Sequence, residues 1–162
     1  MAGEERSAAG DRAGLSADVQ VATFAQLSAD TAYRLWALRS EVFVVEQDCP
    51  YLDLDGRDIE PLTRHLWVEH AGEPVATLRL LDEGDRLRIG RVATRAAHRG
   101  AGLAEALVQE AVAIAGEREV LVDAQSHLVE WYQRLGFEPS GRGFVEDGIP
   151  HTPMRRVGVT AS

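Results

Sequence analysis

Apolar and polar residues alternate from Asp18 to Phe24, a period of two that predicts a first strand. The period then changes. Ser28 is placed as a helix N-cap, and Thr31, Leu35, Leu38 and Val42 recur at helical spacing behind it. Phe43, Val44 and Val45 carry the apolar stretch on to Glu46, and Cys49-Pro50-Tyr51 breaks it. An acidic loop follows at 53–58. His65–Glu69 and Pro74–Leu80 read as two strands joined by a tight turn at Gly72. A further strand is expected over Asp85–Thr94. Leu103, Ala106, Leu107, Ala111 and Ile114 form one helical stripe that ends at Gly116. Glu119–Asp123 is a short strand, and His127–Leu135 a helix stopped by Gly136. Phe137–Phe144 and Ile149–Val157 flank Asp147-Gly148, a favoured hairpin turn. The order is β-α-β-β-β-α-β-α-β-β, an α/β fold in which helices cover a mixed sheet.

The 162 residues suffice for one domain with a buried core, expected over 18–158. Residues 1–17 hold almost no large apolar side chain and are expected to be a flexible tail. No apolar run reaches the length of a membrane span, so no membrane partner is expected. The net charge of −9 argues against nucleic acid and weakly favours cationic partners such as amines. A single cysteine, Cys49, allows no internal disulfide, and no signal-peptide pattern opens the chain; both suit a reducing cytoplasm. All 17 basic residues are arginine, and asparagine is absent as well, which points to a GC-rich bacterial genome.

The most informative segment joins the Asp85–Thr94 strand to the next helix. Arg99-Gly100-Ala101-Gly102-Leu103-Ala104 is a short loop with two glycines opening directly into a helix. Glycine allows close backbone approach and positive φ. The first helical turn adds unpaired N–H groups and the positive end of the helix dipole. That is a backbone cradle for phosphate, beside which Arg99 can supply a forked cation. It is not a Walker A loop, which needs a lysine, and it lacks the third glycine of the dinucleotide fingerprint.

Arg99-x-x-Gly102-x-Ala104 after a strand resembles the acyl-CoA pyrophosphate loop of the GCN5-related N-acetyltransferase (GNAT) family. Trp131-Tyr132-Gln133-Arg134-Leu135-Gly136-Phe137 resembles the family's aromatic-Tyr-x-x-x-Gly-Phe segment, and the element order matches its fold. Arg39–Gly56, Arg64-His65 and Glu146–His151 are similar to the ElaA-like subgroup. One departure concerns the asparagine that many members carry before the tyrosine helix: here the segment reads Ala124-Gln125-Ser126-His127, leaving Gln125 or Ser126 to replace it.

The resemblance implies acetyl-CoA as co-substrate, bound by Val92, Ala93 and Thr94 on the strand, by Arg99, Gly100, Ala101, Gly102, Leu103 and Ala104 in the loop, and by Gln125. Backbone groups of Val92 and Thr94 would meet the pantetheine arm, with an N–H near Val92 polarising the thioester carbonyl. Tyr132 is the implied general acid for the departing thiolate. The base for the acceptor amine stays open among Glu46, His65 and His151: histidine by its ordinary pKa, Glu46 because burial at the end of an apolar run would raise a carboxylate. The acceptor would be a small-molecule or peptide amine, and a homodimer is compatible with the chain.

Two further readings use the same residues. Acyl-homoserine-lactone synthases share the general fold and an Arg-x-x-Val-Phe segment near an acidic loop, as at Arg39–Asp55. A non-catalytic CoA-sensing module would keep the cradle without needing Tyr132. Asp53, Asp55 and Asp58 do not make a calcium loop, because Gly56 falls out of register, and no metal is expected; turn capping or pairing with Arg39 or Arg57 suits them. Cys49 has no paired base and is expected to be a buried structural thiol.

Overall fold

The computed structural model describes residues 18–158; the tail expected over 1–17 lies outside them. Eight strands form one sheet among these residues: β1 (Gln20–Thr23), β2 (Arg64–His70), β3 (Glu73–Asp82), β4 (Arg86–Thr94), β5 (Glu119–Gln125), β6 (Glu138–Pro139), β7 (Phe144–Glu146) and β8 (Ile149–Arg156). Their spatial order is β1-β2-β3-β4-β5-β8-β6, with β7 also on β8. Every pairing is antiparallel except β4–β5, the two strands joined by a helical crossover.

The central strand is β3, buried from Pro74 to Leu81, which is why it reads as a near-continuous apolar run. Helix α1 (Ala29–Arg39) covers one face and α2 (Leu103–Ala115) the other, while α3 (Val129–Arg134) packs near β5 and β6. Beneath α2 lies the main core, in which Leu66, Leu78, Leu80 and Leu87 meet Leu107 and Val108 at no more than 1% exposure. Ser28 caps α1 as expected: its hydroxyl accepts the Thr31 N–H at 3.1 Å. The hairpin turns also form as expected. Ala71 and Gly72 have φ of +52° and +79°, and Asp147 and Gly148 have +49° and +76°, the paired positive values of a two-residue hairpin loop.

Two segments depart from expectation. After α1 the chain stays helical through Ser40–Glu46 but winds more widely, so that Gln47 N–H donates to the Val42 carbonyl and Cys49 N–H to that of Val44, both at 3.2 Å. Such π turns recur at functional sites. The single strand expected over Phe137–Phe144 splits into β6 and β7. Pro139 cannot donate to a ladder, and the Ser140–Gly143 link between them is exposed and rich in glycine.

Candidate active site

The parallel pair β4–β5 holds register only from Arg86↔Glu119 to Ile89↔Val122. Beyond that the strands part, although β4 continues to Thr94 and β5 to Gln125. A cleft of about 1310 Å³ opens between them, with Val92, Ala93 and Thr94 on one wall and Asp123, Ala124 and Gln125 on the other. The β4 wall is bent. Thr77 pairs with Ala93 but Arg79 with Gly90, so β4 carries one extra residue, and Arg91 adopts φ +52°. This is a β-bulge with a left-handed non-glycine residue. Neither Arg91 nor Val92 has a register partner on β3, and β5 has already left. Gly90, a glycine inside the strand just before Arg91, was the one sequence signal of this bulge, and sequence reasoning missed it.

The glycine loop lies at the end of that wall. Gly100 and Gly102 have φ of +81° and +77°, and a Cβ at either would meet nothing within 4 Å. Conformation, then, is what requires glycine here. Gly102 is the N-cap of α2 and offers no side chain to its first turn, leaving those N–H groups directed to the cleft end of the helix. Arg99, Gly100, Gly102, Leu103 and Ala104 line the cleft; Ala101 instead packs against the core.

The candidate catalytic residues divide. Tyr132, Glu46 and His151 line the same cleft as Gln125. Tyr132 is buried, edge-on to Trp131 and Phe137 at ring distances of 4.8 and 5.6 Å, and burial pushes its phenol up to about 12. His151 faces Gln125 across β5–β8, stacks on Phe144, and directs Nδ1 at the Ile149 carbonyl at 2.7 Å. A carbonyl only accepts, so Nδ1 carries the proton and the neutral ring keeps Nε2 as its acceptor.

His65 is elsewhere. It is 1% exposed on the α1 side of the sheet, with Nε2 against the Asp58 carbonyl at 2.9 Å and its ring against Trp36. Burial lowers its pKa and keeps it neutral, and it does not line the cleft. The reason is topological: β2 lies two strands away from the β4–β5 split. Glu46 is in the cleft wall, but not as a buried, raised carboxylate. The wide turn leaves it exposed, and Arg99 grips both its oxygens, one at 2.8 Å, holding the carboxyl below its ordinary value. Arg99 also donates to the Thr94 carbonyl at 3.1 Å.

Other members of the wall were passed over. His98 and His127 both line the cleft, with His98 Nδ1 enclosed and without a hydrogen-bond partner. Cys49 is half-exposed, not buried: its thiol donates to the Asp147 carbonyl at 3.4 Å, tying the segment after Glu46 to the β7–β8 turn.

Beside the bulge sits a buried ion cluster. Arg39 donates to Asp53 at 2.9 Å and to Asp58 at 2.7 Å, and Arg79 to Asp55 at 2.7 Å and Asp58 at 3.3 Å. Burial raises the Asp58 carboxyl, but the bonds and charge of Arg39 outweigh it and leave the group ionised. Arg79 in turn holds Asp55 far below the usual carboxylate range. Pairing of the acidic loop with Arg39 was foreseen; Arg57 instead bonds Glu60 and donates its backbone N–H to Asp55. No group of three or more metal-ligating side chains occurs among the described residues.

The model of the Acetyltransferase (GNAT) domain matches residues 41–157. The chain belongs to the GNAT family. Among relatives, UPF0039 protein Rv2851c of Mycobacterium tuberculosis is 47% identical over 137 residues, covering 82% of this chain and 88% of that protein. Protein ElaA of Escherichia coli is 39% identical over 138 residues, 81% and 90% of the two chains. Among solved structures, an acyl-CoA N-acyltransferase from Pseudomonas aeruginosa aligns with a TM-score of 0.81 at 39% identity, over 86% of this chain and 99% of that one. Crystalline E. coli ElaA gives a TM-score of 0.81 at 36% identity, with the same coverage. Within the GNAT family this is an ElaA-like member, with the acyl-CoA N-acyltransferase fold and an N-acetyltransferase type of domain. No helix among its described residues is long and apolar enough to cross a membrane.

Proposed function

We propose that this GNAT protein transfers the acetyl group of acetyl-CoA to the primary amine of a small molecule or peptide. One observation carries the reading: the β4–β5 split leaves a free backbone edge that ends at an uncapped, glycine-started helix. An extended arm bearing amides suits the edge, and a pyrophosphate suits the helix terminus. Val92–Thr94 would hold the pantetheine arm and Gly100–Ala104 the pyrophosphate, with Gln125 on the opposite wall. Acetyl-CoA supplies an activated thioester.

The remaining steps belong to the protein. An N–H at the bulge, near Val92, stabilises charge on the acetyl oxygen as the amine attacks. His151 Nε2 takes the proton that the incoming ammonium must lose. Tyr132 donates to the departing sulfur. A phenol at about 12 is a weak acid beside a thiol near 8.5. The burial that raises the phenol also disfavours a thiolate in the same place, so the gap narrows where transfer occurs. Glu46, paired with Arg99 in this structure, would offer its negative charge to the acceptor once Arg99 turns to the pyrophosphate. The half-exposed free thiol and the co-substrate both suit a reducing cytoplasm.

Titration calorimetry tests the cradle. A folded Gly102→Glu protein should bind CoA at least about tenfold more weakly, from charge at a helix N-terminus. Gly102→Ala, which shares the unfavourable φ without the charge, controls for strain. Equal CoA affinity in wild type and Gly102→Glu refutes the assignment, and a panel of amines read by thiol release identifies the acceptor.

A further inference from the structure

We propose that Asp53 is a positioning residue that fixes the β4 bulge and thereby aims the backbone N–H near Val92 at the acetyl oxygen. The inference rests on the acetyl-transfer reading, but it concerns a residue outside the cleft wall.

Asp53 is the point at which three parts of the fold meet. Its Oδ2 accepts Arg39 Nε of α1 at 2.9 Å, and its Oδ1 accepts the Tyr51 hydroxyl at 2.7 Å. Oδ1 also forms an ion pair with Arg91 Nε at 2.8 Å, out of line for a hydrogen bond, and the Asp53 carbonyl accepts Arg91 Nη2 at 3.0 Å. The Arg91 guanidinium lies over the Tyr51 ring, 5.3 Å from its centroid. Asp55 adds a longer contact to Arg91 at 3.5 Å. The Arg91 side chain is thus held on a carboxylate, a carbonyl and a ring face, all supplied by one loop.

What that grip secures is the backbone beneath it. Arg91 sits at φ +52°, where an L-residue with a Cβ is strained, and the ladder gives it and Val92 no register partner on β3. Strain of this kind persists only where surrounding structure enforces it. Here the enforcement comes through the side chain. If the grip is released, residue 91 can relax toward ordinary strand angles, and the next N–H turns with it. Asp53 itself cannot exert this effect by touching substrate, because its carboxylate is taken up by Arg39, Tyr51 and Arg91 and it does not line the cleft. Asp53 was read from sequence only as a turn or ion-pair residue; Arg91 carried no signal beyond being a charge in a strand.

The test uses the full chain and two readouts. In isotope-labelled protein, Asp53→Asn should move the backbone resonances of residues 90–93, and Arg91→Ala should move those of residues 92 and 93 much further than Arg91→Gly does, since glycine takes positive φ without strain. With acetyl-CoA and a good acceptor, Asp53→Asn and Arg91→Ala should lower kcat about 10- to 100-fold, below the effect of removing an oxyanion donor outright. For Asp53→Asn, KM for both substrates should stay within about threefold. Arg91→Gly should be several-fold faster than Arg91→Ala, an order that mere loss of charge or stability does not produce. The inference is overturned if Asp53→Asn leaves the residue 90–93 resonances or kcat unchanged, or if Arg91→Ala matches Arg91→Gly. Should Asp53→Asn fail to fold, the two Arg91 variants decide. Should the wild type acetylate no amine, acetyl transfer is refuted, and the resonance comparison still decides the grip.

Discussion

Replacing Tyr132 with phenylalanine removes one oxygen and tests two consequences of its burial separately. The ring keeps its edge contacts with Trp131 and Phe137, so stability near neutral pH should change by well under 1 kcal/mol. Alkaline stability should change more. Burial pushes the phenol up to about 12 at 3% exposure, whereas an unfolded tyrosine titrates near 10. The folded pKa is the higher one, so its stabilising contribution is complete below pH ~10 and is lost as pH rises through about 12. The difference of two units corresponds to about 2.7 kcal/mol, of which about 1.4 kcal/mol is lost by pH 11. Tyr51 is also raised, by burial and its bond to Asp53, so the informative quantity is the difference between wild type and Tyr132→Phe. Denaturant unfolding from pH 8 to 11 measures it: the wild-type curve should fall relative to that of Tyr132→Phe, by about 1.4 kcal/mol at pH 11. Kinetically, loss of a positioned acid should lower kcat by roughly 10²- to 10⁴-fold while CoA affinity is kept. A wild-type kcat in Tyr132→Phe refutes the acid role, and parallel stability curves refute the desolvated phenol.

Glu46→Gln should raise KM for a cationic acceptor, and His151→Ala should lower kcat; neither should weaken CoA binding more than a few-fold, and steady-state kinetics with calorimetry checks both. His65 is buried and held neutral, so its folded pKa is the lower one and folding stability should fall as pH drops below about 6.5; His65→Leu should blunt that fall, seen in urea unfolding from pH 7.5 to 5, without altering kcat. Arg39→Ala should cost about 3–5 kcal/mol, because it leaves Asp53 and Asp58 short of a buried partner, and denaturation midpoints would show it.

Local rules made much of this fold legible. Ser28 had one use, as a cap, and Ala71-Gly72 and Asp147-Gly148 had one geometry each. The glycine loop that opens the second helix was legible for the same reason: Gly100 and Gly102 mark positive φ between two periodic segments. Features that depend on contacts across the sheet were not. The bulge at Arg91 arises from how β3 and β4 pair, and its residue type is unfavourable for its own conformation. The wide turn over Ser40–Glu46 keeps an apolar pattern that an ordinary helix would also show, and its effect on Glu46 appears only with Arg99 in place. His65 looked like a candidate base because a histidine at a strand start has no address in sequence. Arg39 and Arg79 did carry a signal, each a charge on an otherwise apolar stripe. Such a charge needs a buried partner, and the acidic loop between them in sequence was the nearest supply.

A sheet that splits in its middle has an edge on the inside. Ordinary sheet borders are blunted by charge, bulges or short strands, because an open border recruits other strands. On the proposed reading this border must stay open, since the co-substrate would take the place of a strand. Whatever docks there contributes to folding as well as to chemistry: at a free concentration 100 times its Kd, a ligand adds about 2.7 kcal/mol to stability. Resistance to heat and proteolysis in the cell would then follow the supply of that ligand, and the protein would persist longest when it has something to transfer.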